Sequence, residues 1–301
     1  MKPIVVLGSL NMDLVVRTPR LPVPGETIIG GPFQTFPGGK GANQAVAIAR
    51  LGAPVFMIGR VGSDAFGDEL IAAAARDGVD TRGIARDPQA ATGVALITVE
   101  ASGQNTIVLA SGANYQLTPQ HVEAYASFIQ EASLLVAQLE TPLDTVQTAA
   151  RLARQAGVPV LLNPAPAQPL PPDLLRDVDL LAPNQSELAL LAGEGSIESA
   201  AQSLIDQGVS TALVTLGDQG VFVLSREGQT YLPAFPVAAI DAVAAGDAFI
   251  GAFAVALSEG KSVFEAARWG NAAGAIAVTR HGAQPSLPAR AEVLAMLEGR
   301  K

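Results

Sequence analysis

The segment Asp241-Ala-Val-Ala-Ala-Gly-Asp247 runs directly into Ala248-Phe-Ile-Gly-Ala-Phe-Ala-Val-Ala-Leu257. A turn of very small residues therefore enters an apolar helix that carries a carboxylate in its first turn. The first amides of a helix have no partner within it and attract anions such as phosphate. Asp247, beside them, could take a proton from an attacking hydroxyl. The chemistry on offer is transfer of a phosphoryl group to an alcohol. The same letters also fit an Asp that only complements a helix dipole, placed after a tightly packed turn.

A second glycine-rich turn, Pro37-Gly-Gly-Lys-Gly41, opens the helix-like run Ala42-Asn-Gln-Ala-Val-Ala-Ile-Ala-Arg50. It exposes amides, Lys40 adds a cation, and Asn43 lies at the same helix start. The set could grip a polyol or an anion, or be a tight turn with a solvated Lys. It is not a P-loop, because Gln34 stands where G-x-x-x-x-G-K-[ST] needs its first Gly.

Asn11 and Asp13 follow the first strand-like run and could pair with vicinal hydroxyls or form an Asx turn. Glu140, at the end of another strand, could serve a sugar hydroxyl or be solvated. Asn184-Gln-Ser-Glu187 fits a helix capping box. It equally fits a Glu that orients the waters of Mg²⁺, which keeps several of them and takes few protein ligands. Thr215-Leu-Gly-Asp-Gln-Gly220 ends a strand with two glycines, leaving room for a nucleotide to approach the backbone. Asn271 and Arg280-His-Gly-Ala-Gln-Pro-Ser286 complete the candidates.

These residues need a scaffold, and the hydrophobic pattern supplies one. Short apolar runs recur at 4–7, 55–58, 134–137, 158–162, 179–182 and 212–215. Ala-rich helical stretches lie between them, at 41–51, 66–76, 143–156 and 187–191. Alternating strands and helices predict an α/β fold, a three-layer sandwich with a mainly parallel central sheet flanked by helices. Two stretches break the pattern and predict antiparallel hairpins: 13–17 with 25–29, and 92–99 with 104–110 around a turn at 100–103. They are expected to pair as one small β lid over the carboxyl ends of the main strands, where ligands bind in open α/β sheets. The α/β domain would then comprise 1–11, 35–90 and 111–301, and the lid 12–34 and 91–110. The segments 165–172 and 193–196 read as loops.

Composition narrows the classes further. Of 301 residues, 49% are hydrophobic and 16% charged, which describes a folded chain. Aromatics are few beside Ala, Val, Leu and Gly, which suits helices packed closely on a parallel sheet. With 19 basic against 28 acidic residues, the charge of −9 argues against nucleic acid as a partner. The absence of Cys excludes thiolate metal sites and Cys nucleophiles. Two His leave little for a Ser-His-Asp triad or a His-based metal cluster. No leader and no apolar run of membrane-spanning length is visible, so a cytoplasmic protein without membrane contact is expected. No G-x-G-x-x-G follows the first strand, which disfavours a nicotinamide dehydrogenase.

In their order and spacing these motifs resemble the ribokinase-like family of sugar and nucleoside kinases, from Ile4 to about Leu287. The resemblance rests on Asn11-Met-Asp13, Pro37-Gly-Gly-Lys-Gly-Ala-Asn-Gln44, Ser111-Gly-Ala-Asn114, Asn184-x-x-Glu187, Ala244-Ala-Gly-Asp247 and Gly282-Ala-Gln-Pro-Ser286. It implies ATP-dependent phosphorylation of a sugar, with D-ribose at O5 as the expected acceptor and Asp247 as base. The amides of Ala244, Ala245, Gly246 and Asp247 would form the anion hole. Asn11, Asp13, Gly39, Lys40, Asn43 and Glu140 would contact the sugar. Asn184, Thr215, Leu216, Gly217, Asp218, Gln219, Gly220, Gly246 and Asn271 would contact ATP, with Glu187 reaching Mg²⁺ through water. A monovalent cation, usually K⁺, would lie at Asp241, Val243, Ala277, Arg280, Gly282 and Ser286. The resemblance further implies a homodimer joined through the lid. The chain departs from the family at Ala242 and Val243, where Thr-Thr is common, and at Ile250, where Asn is common. Another sugar or a nucleoside as acceptor, or a sugar-binding relative without catalysis, remains open on the residues alone. Few aromatics in the lid disfavour a nucleoside, and Asn11 favours a sugar with a 2-hydroxyl.

Overall fold

The structure is a computed structural model and describes residues 2–101 and 104–299. Thirteen strands form two sheets among the described residues. In chain order they are β1 (Ile4–Leu7), β2 (Asn11–Thr18), β3 (Phe33–Gly38), β4 (Val55–Gly62), β5 (Asp80–Asp87), β6 (Gly93–Glu100), β7 (Asn105–Ala110), β8 (Leu134–Ala137), β9 (Val160–Leu162), β10 (Leu180–Leu181), β11 (Thr211–Thr215), β12 (Val221–Ser225) and β13 (Gly228–Leu232). The helices on one face are α1 (Lys40–Arg50) and α2 (Ala65–Arg76). The opposite face carries α3 (Pro119–Glu123), α4 (Ala126–Gln130), α5 (Leu143–Gln155), α6 (Pro172–Asp177), α7 (Gln185–Ala192) and α8 (Ile197–Asp206). The first face is completed by α9 (Ala245–Ser258), α10 (Val263–Ala277) and α11 (Arg290–Leu297).

The large sheet has nine strands in the order β13-β12-β11-β10-β9-β8-β1-β4-β5. It is parallel from β11 to β5, and β12 runs antiparallel to both of its neighbours. Alternation along β1 shows how one sheet serves two cores. Ile4 and Val6 join the core shared with α1, α9 and α10. Val5 and Leu7 join the core shared with α5 and α8. The expected three-layer α/β sandwich is therefore present.

The small sheet has the order β3-β2-β6-β7, two antiparallel hairpins joined by a parallel β2–β6 pairing. One expectation needs correction. The partner of the first lid strand is Phe33–Gly38, and residues 25–29 form no strand. Pro22, Pro24 and Pro32 remove backbone donors there. Glu26 folds back onto the Val23 amide (3.1 Å) and the Arg20 guanidinium (2.6 Å), leaving Ile29 in solvent. Ser102 and Gly103 of the expected 100–103 turn lie outside the described residues. Among the described residues no helix is long and apolar enough to cross a membrane.

β1 is flanked by β4 on one side and by β8, the start of the run β8–β13, on the other. The strand order thus changes direction at β1, and open α/β sheets bind ligands outside the carboxyl ends of the strands at such a point. Most of the candidate residues gather there.

Candidate active site

Asp247 is the third residue of α9 and is 6% exposed. The helix is apolar on every side, so it packs into the core, not against solvent. Gly251, one turn after Asp247, makes close packing on α1 possible, because an added Cβ would meet Ala47 at 2.5 Å. Ala47 and Ile48 lie three and four residues beyond Gln44, on the same helical face. The contact that packs the two helices therefore also brings polar residues of α1 to the carboxylate. Asn43 Nδ2 donates to Asp247 Oδ2 (2.9 Å) and Gln44 Nε2 donates to Oδ1 (3.0 Å).

Ala244 precedes the helix with φ 59° and ψ 9°, and it is the one non-glycine with positive φ among the described residues. The left-handed region costs a residue with a Cβ on the order of 1–2 kcal/mol. Such strain persists where the surroundings hold it, often at functional sites. Here it turns the chain so that α9 starts at an open cleft. The Ala245 amide donates to the Ala242 carbonyl (3.3 Å). The amides of Gly246 and Asp247 have no intrahelical acceptor, and no side chain caps the helix. Gly246 and Asp247 line the cleft together with Lys40, Asn163, Ala182, Asn184, Glu187 and Thr215. The cleft has a helix N-terminus at one wall, a lysine, and two carboxylates.

The expected sugar contacts form a second, connected cluster. Glu140 Oε2 accepts from Ser9 Oγ (2.6 Å), Asn11 Nδ2 (3.3 Å) and the Lys40 amide (3.2 Å). Asn11 Oδ1 accepts from Asn114 Nδ2 (2.8 Å), while Asn114 also closes on both backbone groups of Leu10. Asn11 thus presents its amide hydrogens to the site. Asn11 and Asp13 sit in β2, paired with Gly38 and Phe36 of β3, so the Asx turn does not form. Gly39 turns the chain at φ 90° into α1. Asn43 Oδ1 is buried without a protein partner, as an acceptor awaiting a ligand hydroxyl would be.

Asp13 is pushed up to about 7 by its burial, then by the charges of Glu140 and Asp247. A raised carboxyl pKa favours the folded state below the unfolded value near 4, and that contribution is lost as pH rises through 7. Asp13→Asn removes this penalty. We expect the variant's gain in thermal midpoint over the wild type to be larger at pH 8 than at pH 5. An equal difference at both pH values contradicts a buried, strained Asp13. Lys40 loses hydration by burial, yet Asp247, Glu140 and Glu187 together raise its pKa above the ordinary value.

Both readings of Asn184 and Glu187 find support in the geometry. Glu187 Oε2 accepts from the Asn184 amide (2.8 Å) and Asn184 Oδ1 from the Glu187 amide (2.9 Å), a complete capping box. Glu187 also lines the cleft, where burial raises its pKa. Of the segment from Thr215 to Gly220, Thr215 lines the cleft, Leu216 is buried, and Gly217–Gln219 form a short 3-10 turn. Asn271 donates to the carbonyls of Leu232 and Pro233 (3.1 Å each), so it holds the chain after β13 and does not line the cleft.

The residues expected around a monovalent cation come from two loops that the structure ties together. Asp241 Oδ1 accepts from the Val243 amide and Oδ2 from the Gly282 amide, both at 3.0 Å. The amides of Ile240 and Asp241 donate to the Val278 carbonyl. Ser286 Oγ donates to the Ala283 carbonyl (2.7 Å), Arg280 pairs with Glu292, and the Ala277 carbonyl accepts from the Arg280 amide (3.1 Å). Asp241 therefore fixes the loops, a task in which Ala242 needs no hydroxyl. Ala242 and Ile250, two of the departures from the resembled pattern, both line the cleft.

Five partners were given no role by the sequence reading: Ser9, Gln44, Asn114, Gln138 and Asn163. A signal existed for Gln44, since Asn43 and Gln44 are adjacent polar residues inside an otherwise apolar helix.

The model of the pfkB family of carbohydrate kinases matches residues 1–290. The chain belongs to that family. Its sequence is 48% identical over 303 residues to a ribokinase of Haemophilus influenzae, covering 99% of each chain. A ribokinase structure from Thermotoga maritima superposes with a TM-score of 0.93 at 39% identity, over 99% of this chain and 100% of that one. An Arabidopsis thaliana ribokinase complexed with ribose and ATP superposes with a TM-score of 0.91 at 35% identity, over 99% of both chains. The motifs that suggested this family of kinases are thus supported across the whole length of the chain.

Proposed function

We propose that this kinase transfers the γ-phosphoryl group of ATP to O5 of D-ribose, giving ribose 5-phosphate and ADP. The observation that carries the proposal is the placement of Asp247, buried beside the unpartnered amides of its own helix and next to a cluster of hydroxyl-binding groups. Full-length relatives that are ribokinases, one of them solved with ribose and ATP, support the choice of substrate. Asn11, Asp13, Gly39, Lys40, Asn43 and Glu140 would hold the sugar with its primary hydroxyl toward Asp247. The hydroxyl oxygen bonds to phosphorus as the bond from phosphorus to the ADP oxygen breaks, and the hydroxyl proton passes to Asp247. In a loose transition state little covalent work is left to the protein, and positioning with charge stabilisation does most of it. The amides of Gly246 and Asp247 and the Lys40 ammonium supply that charge, whereas the Ala245 amide, expected in the anion hole, is engaged by the Ala242 carbonyl.

The nucleotide would lie along Asn184, Thr215–Gly220 and the loop that Asn271 holds. The Glu187 oxygen outside the capping box fits a water-bridged Mg²⁺, which when bound neutralises phosphate charge. The loops joined by Asp241 are the proposed place of a monovalent cation, K⁺, which would add positive charge beside the anion hole. ATP as donor goes with a cytoplasmic location. Incubation with D-ribose, ATP and Mg²⁺ should yield a phosphate resonance coupled to the C5 protons. Phosphate on any other carbon contradicts the assignment of O5, and an unchanged rate without K⁺ contradicts the cation site.

The small sheet acts in this proposal as a cover, since β2 and β3 begin and end at Asn11, Asp13 and Gly38. β7 is an edge strand, and Ile107 and Val108 on it are 54% and 63% exposed, as is half of Leu96 on β6. Open apolar edges pair readily, and a second copy is the proposed occupant. Light scattering should give twice the chain mass, and Ile107→Lys with Val108→Lys should return the monomer. A wild-type monomer at assay concentration excludes this dimer.

A further inference from the structure

Gln44 has no exposed surface, and its amide is engaged at both ends. Nε2 donates to Asp247 Oδ1 (3.0 Å) and to Asn163 Oδ1 (3.1 Å), and Oε1 accepts from Gln138 Nε2 (2.6 Å). Asn163 Nδ2 in turn donates to the Ala182 carbonyl (2.9 Å), which fixes its own orientation. The direction of the Gln44 amide is thereby set by Asn163, whereas Gln138 donates to Gln44 with its own Oε1 unpartnered. A donor facing Gln44 Oε1 and an acceptor facing each amide hydrogen allow one orientation alone. The chain of bonds runs from the ends of β8, β9 and β10 to Asp247 on α9, and among the described residues Gln44 links them.

We propose that Gln44 is a positioning residue for the phosphoryl transfer, fixing the plane and rotamer of the Asp247 carboxylate through Gln138 and Asn163. Asn43 cannot do this alone. Its amide is held by Asp247 alone, since its Oδ1 has no partner, whereas that of Gln44 is held by Asn163 as well. Fixing Oδ1 from one side leaves the other lone pairs of the carboxylate directed at the acceptor hydroxyl. Geometry of this kind sets how often the reacting atoms meet in line, and a displacement near 1 Å can lower the rate about 10²-fold. The effect belongs to kcat, because Gln44 does not itself line the cleft and reaches it only through Asp247 and Asn163. The inference rests on Asp247 as the base.

Two substitutions test it. Gln44→Met keeps the volume and removes the hydrogen bonds. It should lower kcat about 10- to 100-fold, with KM for sugar and ATP within about threefold. Gln44→Glu places a carboxyl against Asp247 Oδ1. When protonated it can still donate, and when ionised it repels. Its kcat relative to the wild type should therefore fall as pH is raised from 5.5 to 9, while the Gln44→Met ratio stays flat. Asp13, Lys40, Glu140, Glu187 and Asp247, the ionisable groups around the site, are common to all three proteins and cancel in the ratios. Rates are taken per folded molecule, with unfolding followed in parallel. Gln44→Met within twofold of wild-type kcat overturns the proposal, as does a flat ratio for Gln44→Glu. Asp247→Asn in the same assay separates the two claims. If that variant still turns over, the base itself is misassigned and the proposal falls with it. If it is dead and Gln44→Met is normal, only the positioning role fails.

Discussion

Asp247→Asn should lower kcat by about 10³-fold or more while sugar affinity stays within about threefold of the wild type. The size follows from the range for removing a general base, roughly 10²–10⁴-fold, at a site where no other carboxylate shares the helix start. The variant is a clean probe because the structure can absorb it. Asn43 and Gln44 both donate to Asp247, so an amide NH₂ at that position would oppose one of them. Gln44 is held by Asn163, but Asn43 carries a buried oxygen without a partner. Turning the Asn43 amide over gives the new NH₂ an acceptor and points the Asn43 NH₂ to the place its unpartnered oxygen held, where a sugar hydroxyl can accept as well as donate. Stability should therefore change little. Isothermal titration with D-ribose and a steady-state assay of ADP release check both halves. Turnover within tenfold of wild type removes Asp247 from the proton transfer.

Gly41→Val should have the second largest effect, on fold and activity together. A Cβ at Gly41 would lie 2.6 Å from the Gly8 carbonyl carbon and Cα and from the Ser9 nitrogen. These are backbone atoms of the β1–β2 connection and cannot rotate away. Overpacking of this type costs about 1–3 kcal/mol, and occasionally more. The strain falls on the first turn of α1, which carries Lys40, Asn43 and Gln44 as one rigid group. We expect a lower denaturation midpoint and a loss in kcat/KM of about 10²-fold or greater. Gly41→Val with a wild-type midpoint contradicts the close approach of the two backbones.

The contrast between these two sites shows what a sequence discloses. Asp247 is legible because a helix start, an apolar run and a carboxylate lie within one turn of each other. The sheet is legible for a similar reason, since each buried strand is a short apolar run with glycine or a polar residue at its end. Gly41 signals a turn, yet the partner it must avoid, Gly8, is 33 positions away in the chain. Asn114 and Gln44 belong to motifs that drew attention, but what they hold is distant in the chain, at Leu10 and Asn163. The misplaced strand at 25–29 has a local cause. Ile28 and Ile29 promise a buried strand, whereas the prolines around them and the Arg20–Glu26 pair fold that stretch into a loop.

The account stands most directly on the acceptor. Initial rates with ATP and Mg²⁺ should be compared for D-ribose, 2-deoxy-D-ribose, D-fructose and adenosine. Asn11, locked as a donor by Asn114 and Glu140, loses a partner when the 2-hydroxyl is absent, at a cost of about 1–3 kcal/mol. The predicted result is a kcat/KM for D-ribose at least tenfold above each of the others. A value for fructose, adenosine or deoxyribose that equals or exceeds that for ribose contradicts the account.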